Sequence, residues 1–214
     1  MTQKIKYTPE PIDKVSYTQE FDRAYTRFAN PYDWIVKFLP IWKGWIGKAL
    51  PHIRGPRVLE VSFGTGYLLT RYANRYDTFG IDLNARMVRL ADNKLQTTGL
   101  KRRLQQADVY RIPYACGVFD SVVNTMSFSG YPDGNKAIGE LHRVLKPSGR
   151  LVMLDVNYPS DKNRIGMALT RMWISFGDII RDMDALFERY EFTYQDEEVG
   201  GFGSVHLYIA DKIK

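Results

Sequence analysis

Three acidic residues and two glycines carry the chemistry open to this sequence. Glu60 stands in Arg57-Val58-Leu59-Glu60-Val61, a run of strand character, and Ser62-Phe63-Gly64-Thr65-Gly66 follows at once. A helical run, Tyr67 to Ala73, comes next. Glycines let the backbone take positive φ and let a ligand approach closely, while a helix start offers unpaired N–H groups. Asp82, 22 residues beyond Glu60, ends a second short strand in Gly80-Ile81-Asp82-Leu83. That is where an acid meets a pair of ribose hydroxyls in a nucleotide crevice. Asp108 ends a third short strand around residues 104–107.

These residues need a scaffold that brings strand ends together, and the chain supplies one. After the glycine turn the pattern predicts a strand near 77–82, then a helix over 84–98 with Asn84 as N-cap and Gly99 as stop. A strand around 104–107, a central strand over 119–126 and a helix over 136–145 follow, the last ended by Lys146-Pro147-Ser148-Gly149. A further strand spans 150–156. Helices over 164–176 and 178–190 precede two strands, 191–199 and 205–211, joined by Gly200-Gly201-Phe202-Gly203. Alternating strands and helices argue for a doubly wound α/β domain with a parallel sheet, carrying an antiparallel pair at the end.

Before the first strand, Tyr17, Phe21, Tyr25, Phe28 and Tyr32 recur at helical spacing up to a break at Pro31, and 33–50 continues as a second helix. The expected organisation is a single domain, with residues 1–50 as a helical cap and 51–214 as the core. At 214 residues, 44% hydrophobic and 25% charged, the chain has room for one core. One cysteine, Cys116, excludes an internal disulfide framework and fits a reducing cytoplasm. His52, His142 and His206 are too scattered to predict a metal site. No apolar run approaches the roughly 20 residues of a membrane span, and the polar start does not read as a signal peptide. A net charge of +6 is compatible with anionic partners but more simply describes a basic solvated surface.

In an open parallel sheet, ligands bind outside the carboxyl ends of the strands where strand order reverses. One acid per strand end suits a ligand with a cationic or amine end, ribose hydroxyls and an exocyclic amine. A dinucleotide would set its pyrophosphate among those acids, and Leu69 stands where G-x-G-x-x-G has its third glycine. Hydride transfer is therefore disfavoured.

The motifs together resemble the class I S-adenosylmethionine-dependent methyltransferases. Val58-Leu59-Glu60-Val61-Ser62-Phe63-Gly64-Thr65-Gly66 is similar to their V-L-D-x-G-x-G-x-G run, with Ser62 in place of the first glycine. Glu140-Leu141-His142-Arg143-Val144-Leu145-Lys146-Pro147-Ser148-Gly149-Arg150-Leu151 is similar to E-x-x-R-V-L-K-P-G-G-x-L. Gly80 to Asn84, Gln106-Ala107-Asp108, Ile112-Pro113-Tyr114 and Phe119-Asp120 resemble the blocks between. The resemblance implies a Rossmann-like, mostly parallel seven-stranded sheet with an antiparallel last strand. It implies S-adenosylmethionine as cofactor and S-adenosylhomocysteine as product.

By resemblance, Gly64 and Gly66 floor the methionine part of the cofactor, Glu60 fixes that loop or the ammonium, and Ser62 shifts the methionine end slightly. Asp82 takes the ribose hydroxyls, Leu83 and Val109 flank the adenine, Asp108 faces its amine, and Met126 and Ser127 border the sulfonium. Tyr25-Thr26-Arg27-Phe28-Ala29-Asn30-Pro31-Tyr32-Asp33 resembles the Y-D-x-x-A-x-x-Y-D segment of the branch that modifies quinones, phospholipids and small amines. Tyr25 or Tyr32 is then expected at the cofactor carboxylate.

Direct displacement at a sulfonium needs alignment and desolvation more than a strong base. Tyr25, Tyr32, Ser127, Tyr131 and His206 are candidates for the acceptor side, and no general base is assigned. The expected acceptor is a small molecule or a lipid. The alternatives are a regulatory binding protein of the same fold without catalysis, and an RNA methyltransferase. Nucleic acid is disfavoured by Asn124-Thr125-Met126-Ser127 standing where amino-methyltransferases of nucleic acids carry N-P-P-Y. Trp34, Trp42 and Trp45 alternate with Lys37, Lys43 and Lys48, a pattern compatible with a peripheral membrane contact. Inward-packed tryptophans beside a solvated lysine face explain the same pattern.

Overall fold

The computed structural model describes residues 7–20, 23, 40–100 and 103–214. Seven strands form one sheet: β1 (Arg57–Val61), β2 (Asp77–Asp82), β3 (Leu104–Gln106), β4 (Phe119–Thr125), β5 (Leu145–Val156), β6 (Phe192–Gly200) and β7 (Val205–Lys212). Their order is β3-β2-β1-β4-β5-β7-β6. β7 runs antiparallel to both neighbours, and the pairings among β1 to β5 are parallel. The chain order reverses between β1 and β4, the place where an open parallel sheet leaves a crevice.

Helical backbone occurs at residues 14–20 (α1). It occurs again at α2 (Pro40–Gly47), α3 (Leu69–Tyr72), α4 (Ala85–Thr97), α5 (Gly134–Val144), α6 (Arg164–Ser175) and α7 (Met183–Arg189). Local chemistry sets several boundaries. Asn84 Oδ1 accepts from the Arg86 and Met87 amides at 2.9 and 3.3 Å, starting α4, and Gly99 at φ +67° ends it. Met87, Ala91 and Leu95, four residues apart, form the buried face of α4. α7 starts at Met183 rather than at 178, because Asp182 caps the Ala185 amide at 3.1 Å. The segment before it is held extended: the Ile179 amide donates to Ser129 O and the Thr8 amide to Ile180 O. β5 starts at Leu145, earlier than the predicted 150, since Phe119 already pairs there.

Side chains alternate across the sheet and give it two apolar layers. Leu59, Val61, Ile81, Phe119, Leu151 and Tyr208 face the side covered by α5 and α7. Val58, Val123, Val152 and Leu207 face the side covered by α2, α3 and α6. The strands of the centre are buried on both faces, so a truncation such as Leu59→Ala removes about 2–5 kcal/mol.

Among the tryptophans of the aromatic run, Trp42 and Trp45 pack on each other, with centroids 6.0 Å apart, and Trp42 also packs on Trp173 at 5.9 Å. Both lie against the core layer of α2. Lys48 Nζ donates to Val199 O at 3.2 Å. Here the inward reading of the pattern holds; Trp34 and Lys37 lie outside the described residues. None of the described helices is long and apolar enough to cross a membrane.

Candidate functional site

A cleft of about 170 Å³ opens at the carboxyl ends of β1 to β4. Glu60, Asp82 and Asp108 line it, one from each of β1, β2 and the end of β3. No lysine, arginine or histidine lines it among the described residues. The cleft is thus an electrostatic match for a cation.

Each acid is held differently. Asp82 Oδ2 accepts from the Gly64 amide and Oδ1 from the Asn84 amide, both at 2.9 Å, so two backbone donors fix the plane of the carboxylate. The first bond ties the end of β2 to the glycine loop after β1. Asp108 Oδ1 accepts from the Tyr110 amide at 2.9 Å and caps the short turn Val109–Arg111. Glu60 is 1% exposed and accepts from the Tyr72 hydroxyl at 2.7 Å. Burial pushes its carboxyl up to about 8, with Asp82 adding to the rise and the Tyr72 bond opposing it.

The loop geometry around these acids is unusual. Ser62 at φ +57° and Met126 at φ +54° are non-glycine residues in the left-handed region, at the ends of β1 and β4. Such conformations cost free energy and gather at ligand sites. Gly64 also has positive φ, and a Cβ there would meet nothing within 4 Å. Its bare backbone therefore faces open cleft. Gly66 differs: a Cβ would come within 2.8 Å of the Ala91 side chain, so this glycine lets the loop sit on α4.

Ser62, Gly64, Leu83, Val109, Met126 and Ser127 all line the cleft. Gly66 is not among the residues that line the cleft, and its missing side chain makes room for Ala91. Leu83 is 38% exposed, an apolar surface offered to solvent or to a flat ligand. His206 sits elsewhere, on β7. Its Nδ1 lies 2.8 Å from Asp196 Oδ1 and its Nε2 lies 3.1 Å from Tyr158 O. Both ring nitrogens face acceptors, and Asp196 raises its pKa against the effect of burial. It serves the β6–β7 edge and is removed from the acceptor side. Tyr25 and Tyr32 lie outside the described residues.

A family model described as a methyltransferase domain matches residues 59–153. That stretch runs from β1 through β5 and contains all three cleft acids. The stretch from β1 to β5 is thus similar to a methyltransferase domain. Demethylmenaquinone methyltransferase of Thermus thermophilus is 37% identical over 114 residues, which cover 52% of this chain and 51% of that enzyme. The chain thus spans about half the length of that relative. The enzyme of the same name from Deinococcus radiodurans is 29% identical over 205 residues, 91% of this chain and 83% of its own. Among solved structures, geranyl diphosphate methyltransferase in complex with SAM aligns with a TM-score of 0.63 at 16% identity, covering 78% and 84% of the two chains. That last likeness concerns the fold.

Several residues in the cleft wall or packed beside it were not assigned to it by sequence reasoning. Trp42, Ile46 and Thr18 line one end of the cleft from the N-terminal elements. Arg181, 8% exposed, donates to the carbonyls of Phe128 (3.2 Å) and Tyr131, and its Nε meets Glu10 Oε1 at 3.2 Å. Asn124 is fully buried at the end of β4. A polar residue in the apolar run Val122-Val123-Asn124 was the available signal for it.

Proposed function

We propose that the cleft binds S-adenosylmethionine and that the chain transfers its methyl group to a small-molecule or lipid-like acceptor. The observation that carries this reading is the row of three acids at successive strand ends, Asp82 fixed by two backbone N–H groups, with no described cation in the lining. Glu60, Ser62, Gly64, Asp82, Leu83, Asp108, Val109, Met126 and Ser127 are the residues assigned to hold the cofactor. When bound, it supplies a methyl group already activated on a sulfonium. Glu60, neutral in large part at pH 7, ionises when a cation settles beside it, because the cation offsets its burial. The apolar wall of Trp42, Ile46 and Met126 excludes water from the acceptor end. Tyr131, pushed up to about 12 by burial, keeps its proton and acts as a donor rather than a base.

The names of the relatives favour a quinone-type acceptor, whose apolar ring suits that wall. Incubation with methyl-labelled cofactor and demethylmenaquinone, phospholipid or amine acceptors tests the reading. Label appearing in an acceptor, with release of S-adenosylhomocysteine, is expected. Cofactor binding without transfer to any acceptor would leave a regulatory binding protein. A peripheral membrane contact is the finer reading for partners. With Trp42 and Trp45 packed inward it rests on a lipid-like acceptor alone, and vesicle flotation tests it.

A further inference from the structure

The tryptophan run of α2 is packed inward, and a different helix carries an apolar face outward. On α6, Gly166 and Thr170 are buried and Trp173 rests on Trp42, so one side of the helix is packed. Ile165, Met172 and Phe176 are 54%, 37% and 69% exposed. At about 100° per residue these three and the half-buried Leu169 fall within about 60° of one another, about 100° round from the packed side. Phe202 adjoins them, since Asn163, the cap of α6, donates from Nδ2 to Phe202 O at 2.9 Å. Phe202 is 65% exposed at φ +52°, so the turn between β6 and β7 holds a large ring out to solvent in a backbone conformation that costs free energy. Single exposed apolar residues are ordinary, but a stripe along one helix with an adjoining ring marks a contact surface.

The flank of the stripe says what it meets. Arg164 and Arg171, both exposed, lie about 120° round from it, on the side away from the packing, and the exposed Lys162 precedes the helix. From Tyr158 to Gly177 the sequence holds one acid, Asp161, whose Oδ1 accepts from the Asn163 amide and Nδ2 at 2.9 and 2.7 Å. Glu198 of β6 reaches this end, where its Oε1 accepts from the Ser160 amide at 2.5 Å. Apolar residues bordered by arginines suit an anionic lipid layer: the stripe enters the acyl edge and the guanidinium groups meet headgroup phosphates. A nucleic acid would use the arginines and leave the stripe wet. The place of the helix fits as well. Trp173 packs on Trp42, which lines the cleft, and Ile41, next to Trp42, is also exposed.

We propose that the α6 stripe, with Phe202, is the surface by which the chain docks on an anionic lipid layer; this rests on the lipid-like acceptor proposed above. The docked protein takes its acceptor from the layer at the Trp42 end of the cleft, without releasing it into water.

Flotation with phosphatidylglycerol and with phosphatidylcholine vesicles at low salt tests the surface. The parent chain is expected to float with the anionic vesicles and at least about tenfold less with the neutral ones. Phe176→Gln combined with Phe202→Gln should weaken that partition at least about tenfold. Arg164→Gln combined with Arg171→Gln should weaken it about twentyfold, at about fivefold per basic residue. Ile213→Gln, at an exposed apolar residue near the C-terminal end, should change nothing. All five positions are exposed, and a thermal melt verifies each fold. A parent chain that does not float, or flotation that the Phe176 and Phe202 variant keeps, would overturn the surface. So would sedimentation showing a dimer that this variant dissociates, because the stripe would then face a second copy. Titration with S-adenosylmethionine keeps the two readings apart. The surface variants should bind it as the parent does, and a parent chain that floats but binds none would overturn the cofactor reading alone.

Discussion

Replacing Asp178 with Asn should stabilise the protein at neutral pH and leave it unchanged near pH 4. Ser129 Oγ lies 2.6 Å from Asp155 Oδ1 and 2.7 Å from Asp178 Oδ1. One hydroxyl carries one proton, so two short bonds to two carboxylates require a further proton on one acid. Burial raises the Asp155 carboxyl as well, but Asp155 also accepts from the Ser129 and Val156 amides at 3.0 and 2.7 Å, donors that Asp178 does not have and that favour the charged form of Asp155. Asp178 is therefore the proton carrier, and burial pushes it up to about 6 from 3.8. A raised carboxyl pKa means that the native state holds a proton the unfolded chain releases. The resulting cost to stability is absent below about pH 4, grows as pH rises to about 6, and is constant above. At 1.36 kcal/mol per pH unit the shift corresponds to about 3 kcal/mol, and residual solvent screening at this half-buried group brings it to about 2 kcal/mol. Asn cannot ionise, and its Nδ2 donates to Ser129 where the protonated acid did. The variant should melt about 4–8 °C above the parent at pH 7.5, at about 2–4 °C per kcal/mol for a chain of this size. Thermal melts followed by circular dichroism from pH 4 to 8 read this directly. A variant less stable than the parent at pH 7.5, or a difference that does not change with pH, would refute the shared proton. Asp155→Asn is the control. It sets an amide nitrogen against donors and should destabilise throughout that range.

Asp82→Ala removes the acceptor for the Gly64 and Asn84 amides as well as any bond to ligand hydroxyls. Calorimetry should show affinity for S-adenosylhomocysteine at least about tenfold lower, and unchanged affinity in a folded variant would remove Asp82 from the site. Glu60→Gln should raise the melting temperature at pH 7 by sparing a buried acid. It should also weaken S-adenosylmethionine binding, and a variant that binds as tightly as the parent would show that Glu60 faces no cation. The N-terminal strap, 7–20, is fastened by Thr8 to Ile180, Glu10 to Arg181 and the Gly134 amide, and Lys14 to Asp133, and Thr18 reaches the cleft wall. Hydrogen exchange should slow over 7–20 when S-adenosylhomocysteine binds, and identical protection with and without it would argue against any coupling of the strap to the site.

What the sequence revealed and what it concealed follow from the range of the interactions. Val58 to Val61 with its glycine turn, Asn84 as a cap and Gly99 as a stop are local signals, and β1, β2 and α4 were legible within a residue or two. The acids at 60, 82 and 108 were legible because a parallel sheet must bring strand ends to one edge. The packing of Gly66 on Ala91 was not legible, because a pattern of glycines does not say what the missing side chain makes room for. The Ser62–Tyr131 contact joins residues 69 apart, across the reversal of strand order, and no spacing rule reaches that far. Arg181 was invisible for the same reason, since its partners come from the N-terminal strap and from the turn after β4.

The cleft and the fold make opposite demands on the same residues. Glu60 in the second-last position of a buried strand, Asn124 with one unsatisfied oxygen, and Ser62 and Met126 in left-handed backbone all work against folding. They cluster at the ends of β1 and β4, and apolar residues of the same strands, Val58, Leu59, Val122 and Val123, offset them in the core. A cationic ligand in the cleft would relieve part of that cost by giving Glu60 a counter-charge. The unfavourable features thus lie where binding gains from them. That coincidence is what a site selected for a charged ligand produces, and a cleft left by packing alone has no reason to show it.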